Sequence, residues 1–287
     1  MAKDPGPVPN PTKPKIKPPP KACDTQFHVF GPSDMFPFRA DRKYDPPDST
    51  VEDAMRMHDA IGVERGVIVH PSIHGTDMRP TLFALDKAHG RYRGVAVIND
   101  SITEAELDHM HVCGIRGIRF NFVRFLGGPP DMKVFERALA KVAPIGWHLV
   151  VHVDGNDLVE HAPMLRKLSM ALIIDHMGHV DVAGGLDQKP FQLMLDMMKD
   201  GNTYVKIATG DRESKTGYPW DDVVPYGARV VETAPERVIW GTDWPHPQYK
   251  GPMPDEGKQF ELFCRMCPDA NQREQILVRN PETLYGF

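Results

Sequence analysis

The sequence predicts a closed barrel of eight parallel strands alternating with helices, a distorted (β/α)8 or TIM barrel, on three observations. Short β-branched apolar runs recur eight times, stretches with helical spacing follow them, and polar side chains collect at the C-terminal ends of the runs. Strands that are apolar on both faces and separated by helices indicate a parallel sheet, because parallel strands need crossover connections that cover both sides. Eight such units fit a chain of 287 residues as one barrel. The alternative is a doubly wound open sheet, which would gather its ligand at a switch point rather than at many strand ends.

Residues 1–21 (MAKDPGPVPNPTKPKIKPPPK) are too rich in Pro and Lys to form a helix or central strand and have little to bury. They are expected to be an extended arm, either solvated or wrapped on a neighbouring subunit or on its own barrel, and residues 22–287 to be a single barrel domain. The candidate strands are 22–30, 66–72, 92–98, 116–122, 147–153, 171–177, 202–208 and 237–243. Ser49 with Glu52 and Thr103 with Glu106 match the capping box, in which hydroxyl and carboxylate satisfy unpaired amides at a helix start. Gly62, Gly90 and Gly114 stand where helices should stop. Between Ser49 and Gly62, Val51, Ala54, Met55, His58 and Ile61 share one helical face, which makes His58 a packed residue rather than a ligand.

A formal net charge of −5 and a pI near 6.2 give no basic field of the kind that collects phosphates, so nucleic acid is excluded as a partner. No apolar run is long enough to span a membrane, and the N-terminus lacks the apolar core of a signal peptide, so the expected protein is soluble and cytoplasmic. Four cysteines at 23, 113, 264 and 267 are too few to staple a chain of this size. Cys264 and Cys267 form a lone C-x-x-C, read as packed thiols ahead of a redox or zinc pair. The oligomeric state is not legible, and a homo-oligomer is compatible with the sequence.

The chemistry is expected where His28, His152, His176 and Asp243 end strands one, five, six and eight, Arg119 ends strand four, and Ser72, His74 and Arg212 follow strands two and seven. In a barrel these converge on one mouth. So many polar groups at one end make a poor core, since each left unpaired costs about 1–3 kcal/mol. In CDTQFHVFGP (23–32), Gln26 and His28 are two apart and should point to one side of strand one, the spacing of a metal pair with glutamine in the first position.

DTQFHVFGP, VIVHPSIHGTD, RGIRFNF, IIDHMGHVD and VIWGTDWPHP together resemble the amidohydrolase superfamily, in its lactone-hydrolase branch related to 2-pyrone-4,6-dicarboxylate lactonase. The resemblance runs from about Cys23 to the final NPETLYGF. It implies hydrolysis of a small anionic lactone, carboxylated or sulfonated, as in aromatic-compound catabolism. Asp243 is implied as general base and proton shuttle, His176 as stabiliser of the carbonyl oxygen, and His28 as a third catalytic group. Arg119, Arg124, Arg212, Ser72, His74 and Tyr44 are the candidates for holding the substrate's anionic groups.

Metal-using relatives bind a divalent ion through two strand-one histidines, a strand-five histidine and the strand-eight aspartate. Here the set is His28, His152 and Asp243, with Gln26 at the remaining place. An amide oxygen is a poor zinc ligand, so a zinc-type cofactor is expected to be weakened or absent. The metal-free pyrone lactonase type carries tyrosine where His152 stands, and two further arginines where Phe125, beside Arg124, and His179 stand. Two rival readings stay open: a metal-dependent decarboxylase of the same superfamily, and an inactive binding protein in which Gln26 has ended the chemistry.

Overall fold

The computed structural model describes residues 3–287. Its eight strands are β1 (Cys23–Phe27), β2 (Arg65–Val69), β3 (Tyr92–Ala96), β4 (Ile115–Asn121), β5 (His148–His152), β6 (Leu172–Ile174), β7 (Thr203–Ile207) and β8 (Val238–Trp240). They form one sheet in chain order, and every neighbouring pair is parallel. With helices between the strands, this is the (β/α)8 barrel that the alternation predicts. No helix among the described residues is long and apolar enough to cross a membrane.

The first and last strands join through a seam rather than a regular ladder. Phe27 bridges Trp244, the His28 amide donates to the Trp244 carbonyl at 2.8 Å, and the Asp243 amide donates to the Gln26 carbonyl at 2.7 Å. Asp24, fully buried, fastens the seam from below. Its Oδ1 accepts from the amides of Gln26 (2.9 Å) and Thr242 (3.0 Å), and its Oδ2 accepts from Thr242 Oγ1 at 2.6 Å and faces His58 Nε2 at 3.1 Å. Gly241 is required there, because a Cβ at that position would lie 2.4 Å from Gln26 Cβ.

Two apolar layers hold the barrel. Val67, Val69, Val95, Val150, Ile173 and Ile239 form one cluster with Cys23, Tyr204 and Tyr285, the last from the C-terminal helix. A larger layer packs the helices on the outside of the sheet. Phe120, Phe122 and Trp244 are buried, and Phe120 and Phe122 pack edge-on against Phe135.

Helix α1 (Val51–Ile61) starts one residue later than its sequence suggests. Ser49 pairs both its backbone groups with Phe30, so the cap passes to Thr50, which exchanges hydrogen bonds with Asp53 instead of the expected Ser49–Glu52 pair. On the inward face Met57 takes the place expected for Met55, while His58 is buried between Asp24 and Tyr92 as a packed residue. The Thr103–Glu106 capping box forms as expected. Gly62, Gly90 and Gly114 all adopt positive φ just past helices. The four cysteines are free, and burial pushes the Cys264 and Cys267 thiols up to about 11, as inert packed thiols require.

Residues 3–21 contain no helix or strand. Thr12 donates twice to Asp255 at 2.8 Å, the Lys15 amide to Glu261 at 3.1 Å, and the Lys21 amide to Glu64 at 3.0 Å. The Thr12 carbonyl lies so close to Gly257 that a Cβ there would sit 1.7 Å from its oxygen. The arm therefore lies along its own barrel, beside the helix that follows β8.

Asp24→Ala leaves two amides, a hydroxyl and a buried imidazole without their acceptor. At about 1–3 kcal/mol for each unsatisfied group, discounted for partial relaxation, the expected loss is at least about 3 kcal/mol in urea unfolding. A loss below about 1 kcal/mol would show that the seam closes without this carboxylate.

Candidate active site

Strands β6 and β8 are shorter than their apolar runs because the chain turns sharply after each. His176, Met177 and His179 take φ of 52°, 49° and 44°, and Asp243 takes 62°. Left-handed backbone in non-glycine residues is uncommon and persists only where surrounding bonds over-determine it. Here the Asp243 amide is held by Gln26 and its carbonyl accepts from the His246 amide at 2.8 Å. His28, His176 and Asp243 thus sit just past their strands, while Arg119 lies inside β4 and His152 ends β5.

These residues line a cavity of about 210 Å³ at the C-terminal end of the barrel. His28 Nε2 is 3.4 Å and His176 Nε2 4.0 Å from Asp243 Oδ1, and Arg212 Nη2 donates to Asp243 Oδ2 at 3.1 Å. The Val69 carbonyl, 2.7 Å from His28 Nδ1, takes the hydrogen on that nitrogen and leaves Nε2 toward the pocket. Tyr44 and Ser72 also line the cavity, 3.4 Å apart through their hydroxyls. His74 does not: it is buried behind the wall against Phe38. Nor does Arg124, whose side chain is 83% exposed and pairs with Asp157 at 3.4 Å, whereas its neighbour Phe125 does line the cavity.

Burial alone would raise the Asp243 carboxyl, but the contact with His28 and the charge of the Arg212 guanidinium outweigh it and hold the group well below the usual carboxylate range. Burial drives His176 down to about 3 against the opposing pull of Asp175 and Asp243, so it is neutral at pH 7. Burial likewise takes Tyr44 up to about 12.

Beneath the cavity lies a charge network. Lys206, in the middle of β7 and 0% exposed, places Nζ 2.6 Å from Gln26 Oε1 and 2.7 Å from Asp175 Oδ1. Asp175 Oδ2 in turn accepts from Arg119 Nε at 2.8 Å. Because β1 and the turn after β6 are not neighbours in the sheet, Lys206 must reach them through the barrel interior. Asp175 is held low: burial opposes its ionisation, but Lys206 and Arg119 more than offset that.

The divalent-metal set implied by the resemblance does not fit this arrangement. Gln26 spends its amide oxygen on the Lys206 ammonium, so that oxygen is not free to bind an ion. His152 Nε2 is turned to His179 Nε2 at 2.8 Å. Among the described residues, the acidic, histidine and cysteine side chains close enough to share an ion are His152, His176 and His179, not His28, His152 and Asp243.

Sequence reasoning missed Lys206 and Asp175, although a lysine between β-branched residues in YVKIA marks a buried charge in need of a partner. It also missed Glu213, 2.7 Å from His179 Nδ1, and Asn121, 2.9 Å from His152 Nδ1. Their distance along the chain from those histidines hides both.

The barrel and the polar ring at its mouth are those of an amidohydrolase, and the chain belongs to that family, whose sequence profile matches residues 23–287. It is 40% identical to a 2-pyrone-4,6-dicarboxylate hydrolase of Comamonas testosteroni over 286 residues, covering 96% of this chain and 93% of that protein. It is 38% identical to a 4-sulfomuconolactone hydrolase of Rhizobium radiobacter, covering 92% and 90%. Among solved structures it superposes on a probable 2-pyrone-4,6-dicarboxylic acid hydrolase of Acinetobacter baumannii with citric acid bound, at a TM-score of 0.81 and 26% identity, covering 93% and 100%.

Two outcomes test this electrostatic picture. Lys206→Met removes the cation that joins Gln26 to Asp175 and is expected to destabilise the fold by about 3–5 kcal/mol in urea unfolding; an unchanged midpoint would show the network to be dispensable. Burial also holds His70 and His148, like His176, at about 3. The unfolded chain binds a proton on each near the ordinary 6.5, whereas the folded chain does so only near 3, so stability should fall steadily as pH drops from about 6.5 toward 3. His148→Gln should flatten that slope, and an identical slope in the variant would count against a neutral His148.

Proposed function

We propose that this chain is a hydrolase that opens a small anionic lactone, with Asp243 as the group that manages the water proton. The observation that carries the reading is one carboxylate, Asp243, faced by His28, His176 and Arg212 in a cavity that Arg119 also lines. The lactone-hydrolase names of the relatives support the substrate class.

Arg119 and Arg212 meet the substrate's carboxylate or sulfonate, for which a guanidinium fork is well shaped. Arg119 is braced by Asp175 and stays in place. Arg212 rests on Asp243 and on the Pro247 carbonyl, and turning it onto the substrate anion removes the charge that helps hold Asp243 low. Substrate binding thereby strengthens the base at the moment it is needed. Water, oriented by Asp243 and His28, adds to the ring carbonyl as Asp243 takes its proton. An N–H of neutral His176 donates to the carbonyl oxygen as that oxygen becomes anionic. When the ring C–O bond breaks, Asp243 returns the proton to the departing oxygen and the product is an open-chain acid.

Asp243→Asn should lower kcat on pyrone dicarboxylate or a sulfonated muconolactone by about 10²–10⁴-fold, the usual worth of a general base. Arg119→Met and Arg212→Met should act chiefly through KM. Acid release followed with a pH indicator, beside carbon dioxide detection, reads the reaction class. Gas evolution without ring opening would replace this reading with decarboxylation. Retention of parental kcat in Asp243→Asn, or no turnover of any anionic lactone by the parent chain, would remove it.

A further inference from the structure

We propose that Asp4, on the N-terminal arm, is a positioning residue of the site: its carboxylate fixes the peptide group between Pro247 and Gln248, and the carbonyl of that group holds Arg212. Two hydrogen bonds run in series through one peptide plane. Asp4 Oδ2 accepts from the Gln248 amide at 3.1 Å. The carbonyl on the other side of the same peptide bond, that of Pro247, accepts from Arg212 Nη2 at 2.9 Å. A planar peptide cannot turn one group without the other, so an acceptor on the N–H aims the C=O at the guanidinium. The carboxylate also polarises the peptide in the direction that strengthens the second bond.

The local backbone needs such an anchor. His246 and Gln248 are non-glycine residues with φ of 59° and 62°. Left-handed backbone of this kind persists only where surrounding bonds over-determine it. The His246 amide is held by the Asp243 carbonyl at 2.8 Å, and the partner of the Gln248 amide is Asp4. Pro245 and Pro247 have no amide to donate, so the Gln248 amide is one of few handles by which this turn can be fixed.

Asp4 is itself placed by a second loop. Its amide donates to the Asp45 carbonyl at 2.9 Å, one residue beyond Tyr44, which lines the cavity. Pro5 and Pro7 of the arm lie with Pro46 and Pro47 of that loop and Pro245 and Pro247 of the other around one narrow gap. The arm thus ties the loop after β1 to the loop after β8 above the seam that Asp24 fastens from below. Proline restricts the unfolded chain as well, which lowers the entropy lost when the arm lies down.

What this strap governs is the freedom of Arg212. That side chain leans on Asp243 at 3.1 Å and on the Pro247 carbonyl, lies 5.4 Å from the Tyr249 ring centroid, and buries Nε without a partner. Without Asp4 the Pro247 carbonyl loses its direction, and the guanidinium loses one of its two acceptors. The consequence for a bound anion rests on the lactonase reading, in which Arg212 meets the substrate's carboxylate or sulfonate.

The test uses the full-length chain with Asp4→Ala and Asp4→Asn, each checked by thermal melting to be folded. Turnover is followed on an anionic lactone, and binding is followed by calorimetry with isophthalate, a flat dianion that has no ester to cleave. Asp4→Ala should raise KM and weaken isophthalate binding by about tenfold with kcat within about twofold, the mark of lost placement rather than lost chemistry. Amide exchange at Gln248 should quicken in the same variant. Asp4→Asn keeps an oxygen that can accept from the amide and should stay within about threefold of the parent. In an Arg212→Met background Asp4→Ala should cost nothing further, because the two residues act in series. Parental KM and isophthalate affinity in Asp4→Ala overturn the proposal, as does unchanged exchange at Gln248, a full loss in the Arg212→Met background, or an Asp4→Asn as impaired as Asp4→Ala. A parent that binds isophthalate but opens no lactone removes the lactonase reading alone, since the binding comparison still decides the role of Asp4. A parent that binds neither removes both.

Discussion

The closing of β1 onto β8 through buried Asp24 is the constraint on which the site depends. A parallel barrel needs its ends to meet, and here they meet without a full ladder, through one carboxylate with four polar partners and one glycine that lets the backbones approach. The seam carries His28 on one side and Asp243 on the other, so the force that closes the cylinder also sets the distance between them. The left-handed backbone at Asp243 is sustained by the same bonds. Fold stability and site geometry are therefore one problem at this edge of the sheet.

A second constraint is electrostatic. Placing Lys206 inside the barrel would be prohibitive for an isolated charge, and it is made tolerable by Asp175 and the Gln26 amide oxygen. The consequence reaches the mouth of the barrel, because Asp175 also braces Arg119 from behind. Gln26 acquires a physical purpose in this setting: a neutral acceptor beside an ammonium, where a histidine lone pair aimed at a metal would compete with that ammonium.

Much of this was legible before any coordinates. Eight apolar runs, the glycines after the helices and the recurrence of polar residues at run ends identify the barrel, because period and punctuation are local properties of the chain. Asp243, His28, His176 and Arg119 were recognisable because each stands at or near the end of a strand, and Arg212 because it follows one closely, positions that a barrel brings to one mouth. His74 and Arg124 occupy similar places in the chain yet stay outside the cavity, since a residue in a loop can turn either way and the sequence contains no sign of which.

The sequence by itself determined the class of fold, the family and the ring of candidate groups, since these rest on residue type and spacing along the chain. Only the tertiary structure decided what those groups touch. Gln26 reads from spacing as a failed metal ligand, and packing makes it the partner of a lysine 180 positions away. His179 reads as a missing arginine, and packing sets it between His152 and Glu213. Partner choice of this kind depends on how the barrel staggers its strands and on which buried charge lies within a hydrogen bond of another. Those are three-dimensional distances that no local pattern encodes.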